Sequence, residues 1–131
     1  MTREWTVRLP WTKPPLSLND RSHWRKKAAD TATVREESAD CIYHVVGRTF
    51  RYDGTPSTTC DRVKATLTYY PRDKRRRDAT NLVATYKAVI DGMVDAGVIP
   101  DDTPEYLVEV MPVIAAPDGD PRLVLHIEEI A

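Results

Sequence analysis

The sequence predicts an α+β domain in which two helices pack on one face of a small mixed β-sheet. Two long segments, Trp24–Val46 and Ala79–Asp95, repeat apolar residues with the spacing of helices. The resulting order is β-α-β-α-β-β, and 131 residues suit a single domain, 1–131. Four shorter segments alternate with period two, which is typical of strands: Trp5–Leu9, Val63–Tyr70, Tyr106–Val113 and Leu123–Ile130.

The N-terminal part holds one strand, one loop and the longer helix. The first strand stops at Pro10, and three prolines make residues 10–19 an extended loop. Residues that favour helix N-caps follow, namely Asn19, Asp20 and Ser22. The helix face expected to meet the core carries Ala28, Ala32, Arg35 (by its aliphatic stem), Ala39, Ile42 and Val46.

The remaining elements are separated by turn-forming residues. Residues 47–59 are polar and contain Gly54 and Pro56, which predicts a surface loop. Gly97 marks the end of the second helix. The motifs 100–104 (PDDTP) and 117–121 (PDGDP) predict turns on either side of the third strand. The buried stripe of the second helix is expected to be Leu82, Tyr86, Val89, Ile90 and Met93.

Composition argues against several classes of protein. The chain is 41% hydrophobic and 30% charged, which is ordinary for a globular domain. No apolar run approaches the ~18 residues of a membrane helix. Residues 1–10 lack the apolar segment of a signal peptide, so a bacterial host cytoplasm is the expected location. Cys41 and Cys60 stand outside any Cys/His cluster, which favours reduced thiols over a zinc site.

Charge is unevenly distributed, although the net charge is only −1. Of the 19 Lys and Arg residues, only Arg122 lies beyond residue 90, whereas half of the 20 Asp and Glu residues do. A basic part attracts phosphates, and an acidic part can gather a hard cation.

A basic run leads directly into Asp78. Five of the six residues 72–77 are cations, and arginine forks match the geometry of phosphate groups. The run predicts a clamp for a nucleic-acid backbone, although a solvated basic turn has the same composition. A second basic cluster around Trp24 extends the expected DNA track. The residues assigned to DNA contact are Arg72, Lys74, Arg75, Arg76, Arg77, Arg21, Arg25 and Lys26.

One face of the second helix is polar. At 100° per residue, Asn81, Asp91 and Asp95 share this face, and Lys87 lies beside it. The same pattern also fits a solvated surface with an i,i+4 ion pair between Lys87 and Asp91.

Asp101 and Asp102 follow this helix in a turn stiffened by two prolines. Adjacent acids often only cap a turn, but a short return of the chain can also bring one of them near Asp78. Converging carboxylates repel unless a cation neutralises them, and Mg²⁺ and Mn²⁺ prefer oxygen ligands. Such a site activates water for attack on a phosphodiester. The metal ligands predicted here are Asp78 and Asp102, with Asp101 or Asp91.

The order of these motifs resembles that of a known family. Residues 9–19 (LPWTKPPLSLN) form a Leu-Pro-Trp, proline-rich loop ending in Asn, and residues 71–81 (PRDKRRRDATN) carry the arginine run into an acidic motif. A helical Lys87, an Asp four residues later, a Gly before Asp101–Asp102 and a Met-Pro-Val strand at 111–113 complete the set. Over nearly its whole length, the chain resembles the RusA-like Holliday-junction resolvases, small metal-dependent DNA endonucleases of phages and prophages.

The resemblance implies a homodimer that binds four-way junctions and makes paired nicks with Mg²⁺. Carried over by position, the catalytic residues are Asp78, Lys87 and Asp102, and Asn81 supports the site. Thr80 stands where the family has a second acid, and a neutral hydroxyl is a poor Mg²⁺ ligand. Lys87 also follows Asn81 by six residues, three more than in the best-known family pattern, which rotates it by about 60° on a helix.

Two other functions fit the same sequence. A junction-binding protein that cuts weakly or not at all is expected if Thr80 empties a ligand position, and Thr80→Asp then raises cleavage. An unrelated α+β interaction protein with a coincidental acidic turn is the third reading. It predicts DNA binding that is absent or insensitive to salt, whereas phosphate contacts make affinity fall steeply with salt.

Overall fold

A computed structural model of the chain describes residues 2–17 and 23–131. Two helices and seven strands follow one another in these ranges. The helices are α1 (Trp24–Val46) and α2 (Val83–Asp95), the latter preceded by a 3₁₀ turn, Ala79–Leu82. The strands are β1 (Glu4–Arg8), β2 (Thr49–Phe50), β3 (Pro56–Ser57), β4 (Val63–Tyr70), β5 (Leu107–Glu109), β6 (Val113–Ile114) and β7 (Arg122–Glu129).

The main sheet is mixed, as the sequence predicts. Its order is β1-β7-β4-β5, and β6 also pairs with β4 beyond the end of β5. The pairs β1/β7 and β7/β4 are antiparallel, whereas β5 and β6 run parallel to β4. The long strands β4 and β7 therefore form the centre, and the candidate site follows the end of β4.

The strand predicted over Tyr106–Val113 is wrong in its extent, because the structure divides it into β5 and β6. Pro112 lies between the two pieces and has no N–H to donate to a ladder, so continuous pairing cannot pass through it. The loop predicted over 47–59 also contains the two-residue strands β2 and β3, which pair as a separate small hairpin. These strands are too short to show a period-two pattern.

Alternate residues of the central strands face a single core. Val63, Ala65 and Leu67 of β4 are fully buried beside Leu125 and Ile127 of β7, whereas their neighbours in the chain are partly exposed. Ile42 of α1 and the apolar stripe of α2 join the same cluster. The predicted stripe of α2 is confirmed, since each of its five members is at most 2% exposed.

The predicted core face of α1 is confirmed at Ile42, which is buried, and at Val46, which packs against the core, and is wrong in its N-terminal half. Ala28, Ala32 and Arg35 are exposed, and the buried residues of this helix are Val34, Ser38 and Ile42. The reason is a close approach of the two helices at Gly92. A Cβ on Gly92 would lie 2.7 Å from the Arg35 carbonyl oxygen and 2.9 Å from the Ser38 Cβ. Small residues, rather than a wide apolar stripe, therefore set the rotation of α1.

One hydrogen bond and one glycine define the position and the end of α2. The Tyr86 hydroxyl donates a buried hydrogen bond of 2.5 Å to the Ala65 carbonyl oxygen of β4, which ties the helix to the sheet. After the helix, Gly97 adopts a φ of +84°, as expected for the glycine that ends a helix.

Among the described residues, no helix is both long enough and apolar enough to cross a membrane.

Candidate metal and nucleic-acid site

The basic run after β4 is organised by an acid that the sequence interpretation left without a role, Asp73. One oxygen of its carboxylate accepts hydrogen bonds from the Arg75 backbone N–H (3.1 Å) and from the Arg77 guanidinium (2.8 Å). Arg77 also donates to the carbonyl oxygens of Asp73 and Arg75. The Arg75 N–H first, and then Arg77, lower the pKa of Asp73. The Asp-x-Arg-x-Arg spacing is the signal that could have indicated this turn.

These contacts divide the five cations of the predicted phosphate clamp into two groups, one inward-facing and one exposed. Arg77 is turned inward, with 23% of its side chain exposed, and its guanidinium lies 5.8 Å from the centre of the Tyr69 ring. Arg72 and Arg75 keep 79% and 74% of their side chains exposed. Lys74 and Arg76 are exposed as well. Four cations are thus presented on the surface, and the fifth holds the turn together.

Asp78 begins the 3₁₀ turn that leads into α2. Its carboxylate accepts a hydrogen bond of 2.9 Å from the Thr80 backbone N–H and acts as the N-cap of the turn. The pKa of Asp78 is lowered, first by this N–H, then by the Thr80 hydroxyl, with a contribution from the charge of Arg76. Asn81, a little further along the turn, lines a cavity of about 300 Å³ together with Asp78 and Arg77.

The structure brings Lys87, Asp91 and Asp102 together. The Lys87 ammonium lies 3.0 Å from an Asp91 oxygen and also donates to the Asp102 carboxylate. Asp102, and then Asp91, raise the pKa of Lys87, while Lys87 lowers the pKa of Asp102. The polar face of α2 and the acidic turn therefore meet at Lys87, which is more than one helical turn beyond Asp78.

The other two acids of this region have separate partners. Asp101 accepts a hydrogen bond of 2.8 Å from the Asp102 backbone N–H, which is a turn-capping contact. Asp95 forms a two-pronged ion pair with Arg35 of α1, at 2.6 and 2.8 Å. Asp101 thus shapes the turn that carries Asp102, and Asp95 joins the two helices.

The chemistry of Asp91 and Asp102 fits a hard cation. Both carboxylates converge on one charged group, and 27% and 29% of their side chains are exposed. Mg²⁺ is usually held by one or two carboxylates and keeps several waters for exchange with substrate phosphates. Across residues 2–17 and 23–131, no group of three or more acids, histidines or cysteines is arranged to hold a metal ion. Of the four predicted ligands, two are therefore brought together.

The second basic cluster lies at the start of α1. Trp24 is 67% exposed, and the Arg25 guanidinium lies 5.2 Å from the centre of its ring. Lys26 forms an i,i+4 ion pair with Asp30 at 2.7 Å. Arg21, which was also assigned to DNA contact, lies outside the described residues, as does Asn19 of the proline-rich loop.

Comparison with known proteins gives one distant similarity and no family. The chain is 26% identical over 91 residues to an uncharacterized protein of Xylella fastidiosa strain Temecula1. The matched stretch covers 70% of this chain and 56% of that protein, so the chain spans little more than half the length of this relative. No family model matches the chain.

Proposed function

We propose that the protein is a metal-dependent endonuclease that cuts branched DNA, especially four-way junctions, by paired hydrolytic nicks. The observation that carries this proposal is the Lys87 ammonium held between the carboxylates of Asp91 and Asp102. A surface-exposed basic turn precedes the same helix and runs into Asp78, so cations suited to phosphate adjoin one of the proposed acids.

Each group has a role that follows from its chemistry. Asp91 and Asp102 would hold Mg²⁺ or Mn²⁺. Asp78 is proposed as a third ligand from the start of the helix, although its carboxylate is not grouped with the other two in the described part of the chain. The ion supplies neutralisation of phosphoryl charge and activation of water. Lys87 is a second positive charge that can stabilise the developing negative charge of the phosphodiester. Asn81 lies close to Asp78 in the same turn and supports this end of the site.

Exposed cations bind the DNA backbone in this proposal. Arg72, Lys74, Arg75 and Arg76 stand on the surface of the turn, and Arg25 with Lys26 extends the track along α1. Phosphate contacts release counterions, so affinity falls with salt, and each lost contact reduces the salt slope by about one. Arg77 acts indirectly, because its donors hold the turn in place.

Two symmetric nicks require two active sites related by a twofold axis, and we propose a homodimer for this reason. The proposed place of action is the cytoplasm of a bacterial host. Sedimentation at micromolar concentration should give twice the mass of the 131-residue chain. A monomer under these conditions that still made paired nicks would refute the proposed dimer but not the proposed metal-dependent cleavage.

The alternative is a junction-binding protein that cuts weakly or not at all. Two observations favour it. Thr80 contributes a backbone N–H and a hydroxyl to Asp78, where a second acid would add a ligand. Lys87 already forms ion pairs with both Asp91 and Asp102, so a metal ion has to compete with an ammonium for both carboxylates.

A labelled synthetic four-way junction separates these functions. The protein is incubated with it in Mg²⁺, in Mn²⁺ and in chelator, and both retardation and strand cleavage are measured. Paired nicks that need a metal support the endonuclease, and retardation without nicks supports the binding protein. A complex that does not weaken between low and physiological salt would refute both, since phosphate contacts would then be absent.

A further inference from the structure

A cavity of about 300 Å³ lies between the proline-rich loop and the start of the second helix. Pockets of this size are at the lower end of those that hold small molecules. One side of this cavity is apolar and the rim is charged or polar. The residues that matter here are Leu16 and Ile114 on the apolar side and Lys13, Arg77, Asp78 and Asn81 on the polar side.

The described part of the loop that forms the first wall is held at two points, Trp11 and Leu16. The buried Thr85 hydroxyl of α2 donates to the Leu16 carbonyl oxygen (3.1 Å) and accepts from the Leu16 N–H (3.2 Å). At the other point, the Trp11 indole N–H donates to the Glu37 carboxylate of α1 at 3.0 Å. Because hydrogen bonds to both helices hold this wall in place, binding of a ligand costs less conformational entropy than binding to an unanchored loop.

The second wall is fixed by the turn that Asp73 organises. Arg77 is held there by three hydrogen bonds to the turn and by its position over the Tyr69 ring. Asp78 follows directly and is itself fixed as the N-cap of the 3₁₀ turn. Two members of the charged rim, Arg77 and Asp78, are therefore held in place by the backbone around them.

The lining suits a nucleotide better than a purely apolar or purely charged ligand. An apolar side accepts the faces of a nucleobase, and an amide with a carboxylate offers hydrogen bonds to its edge. Lys13 adds a positive charge at the rim, where a phosphate gains most, whereas the charge of Arg77 is already paired with Asp73. The anionic Asp78 excludes the phosphate from its own side and thereby orients the nucleotide.

We propose that this cavity holds one unpaired nucleotide of a branched DNA, with its base against Leu16 and Ile114 and its phosphate near Lys13. This inference rests on the proposed DNA function and specifies which part of the substrate the site recognises. A branch point is where a base is least costly to unstack, because its pairing is already interrupted. The proline-rich loop, which otherwise has no role in the chemistry, then acts as the wall that recognises the branch.

The test uses four-way junctions with the fluorescent base 2-aminopurine at each position next to the branch in turn. Extrusion of the base raises its fluorescence, because stacked neighbours quench it. We expect a rise at one position or at its symmetry mate, and no rise when the same base lies in a linear duplex. Ile114→Phe, which fills the cavity, should remove the rise. Val113→Phe is the matched control, since this neighbouring side chain is exposed on the other face of the same strand.

Leu16→Phe also fills the cavity, so the test does not depend on Ile114→Phe alone, which changes a residue near the core. Lys13→Ala should retain the rise but reduce the salt slope of junction binding by about one phosphate contact. Junction binding or cleavage with no rise at any branch position would overturn the cavity proposal and leave the DNA function intact. Absence of junction binding in the unmodified protein would overturn both. Free 2-aminopurine deoxynucleotide bound as tightly as the junction would assign the cavity to free nucleotides instead.

Discussion

Two carboxylates of the candidate site, Asp78 and Asp102, are kept charged by different partners. Asp78 is stabilised mainly by the backbone N–H and the hydroxyl of Thr80, which are neutral groups. Asp102 is stabilised mainly by the ammonium of Lys87, which it shares with Asp91. The Asp78 end is therefore negative and borders exposed cations, whereas the Asp102 end already contains its own counter-ion.

The difference shows how acids can converge before any metal binds. Like-charged carboxylates near one another normally raise each other's pKa, because both charges cannot be held without a cation. Lys87 offsets one of the two negative charges where Asp91 and Asp102 meet, and Thr80 adds no charge beside Asp78. The two ends should therefore respond in opposite ways when charge is removed from Lys87 or added at Thr80.

Lys87→Gln breaks the Asp102 end and has the largest expected effect. If Lys87 stabilises phosphoryl charge, junction cleavage at saturating metal should fall about 10²–10³-fold, the range for removal of one such donor. Mn²⁺ binding, measured by calorimetry without DNA, should become tighter, because the metal no longer competes with the ammonium. Lys64→Gln removes an exposed lysine of β4 and is the matched control. Unchanged cleavage in Lys87→Gln would contradict a catalytic role for this lysine.

Thr80→Asp changes the Asp78 end in the opposite direction. A second carboxylate beside Asp78 should strengthen metal binding and raise cleavage by about 10–100-fold, comparable with changes around metal ligands elsewhere. Junction affinity in chelator should stay the same. Thr80→Asn has nearly the shape of the Asp variant without its charge and serves as the control. Equal cleavage by the original protein and the Thr80→Asp variant would show that Thr80 does not limit the site.

Thr85→Val removes the hydrogen bonds that attach the proline-rich loop to α2, on the side of the cavity opposite Asp78. Two hydrogen bonds to the Leu16 backbone are lost, so the free energy of unfolding should fall by about 1–3 kcal/mol. Thr85→Ser keeps the hydroxyl and should lose less. Denaturant unfolding measures both variants. A Thr85→Val protein as stable as the original would show that the loop is not anchored by this residue.

The ion pair between Arg3 and Glu129 is not part of the candidate site, so it should give the smallest effect and serve as a reference for the other predictions. Arg3 lowers the pKa of Glu129 to about 2 from an ordinary value of 4.5. Because the folded-state pKa is depressed, its stabilisation is present above about pH 4.5 and is lost as the pH falls towards 2. Glu129→Gln should therefore flatten the pH dependence of the unfolding midpoint between these values. An identical pH profile for both proteins would contradict the pair.

Much of the architecture is predictable because local pattern and burial agree. The bounds of α1 and β4 match their predictions, and the buried stripe of α2 follows from helical spacing alone. The rotation of α1 is not predictable in this way, because it depends on where Gly92 lets two backbones approach. Pairing partners of short strands such as β5 and β6 likewise depend on contacts between distant residues.

Part of the contact pattern of the candidate site was predictable from local spacing, and part was not. Spacing places Lys87 and Asp91 on one helix face, and both do interact. The position of Asp102 beside Lys87, rather than beside Asp78, depends on the path of the chain after α2. Composition alone does not indicate the role of Asp73, because a single acid within a basic run looks like an interruption, whereas its hydrogen bonds shape the turn.

The most direct test compares two acids of the same region in the junction-cleavage assay. Asp102→Asn removes a carboxylate from the Lys87 group, whereas Asp95→Asn removes one that pairs only with Arg35 in the described structure. An exposed ion pair is worth at most about 1 kcal/mol, so both proteins should fold. We predict that metal-dependent nicks vanish in Asp102→Asn and persist in Asp95→Asn, with junction binding kept in both. Equal nicking by the two variants would contradict the assignment of the Lys87, Asp91 and Asp102 group as the catalytic centre.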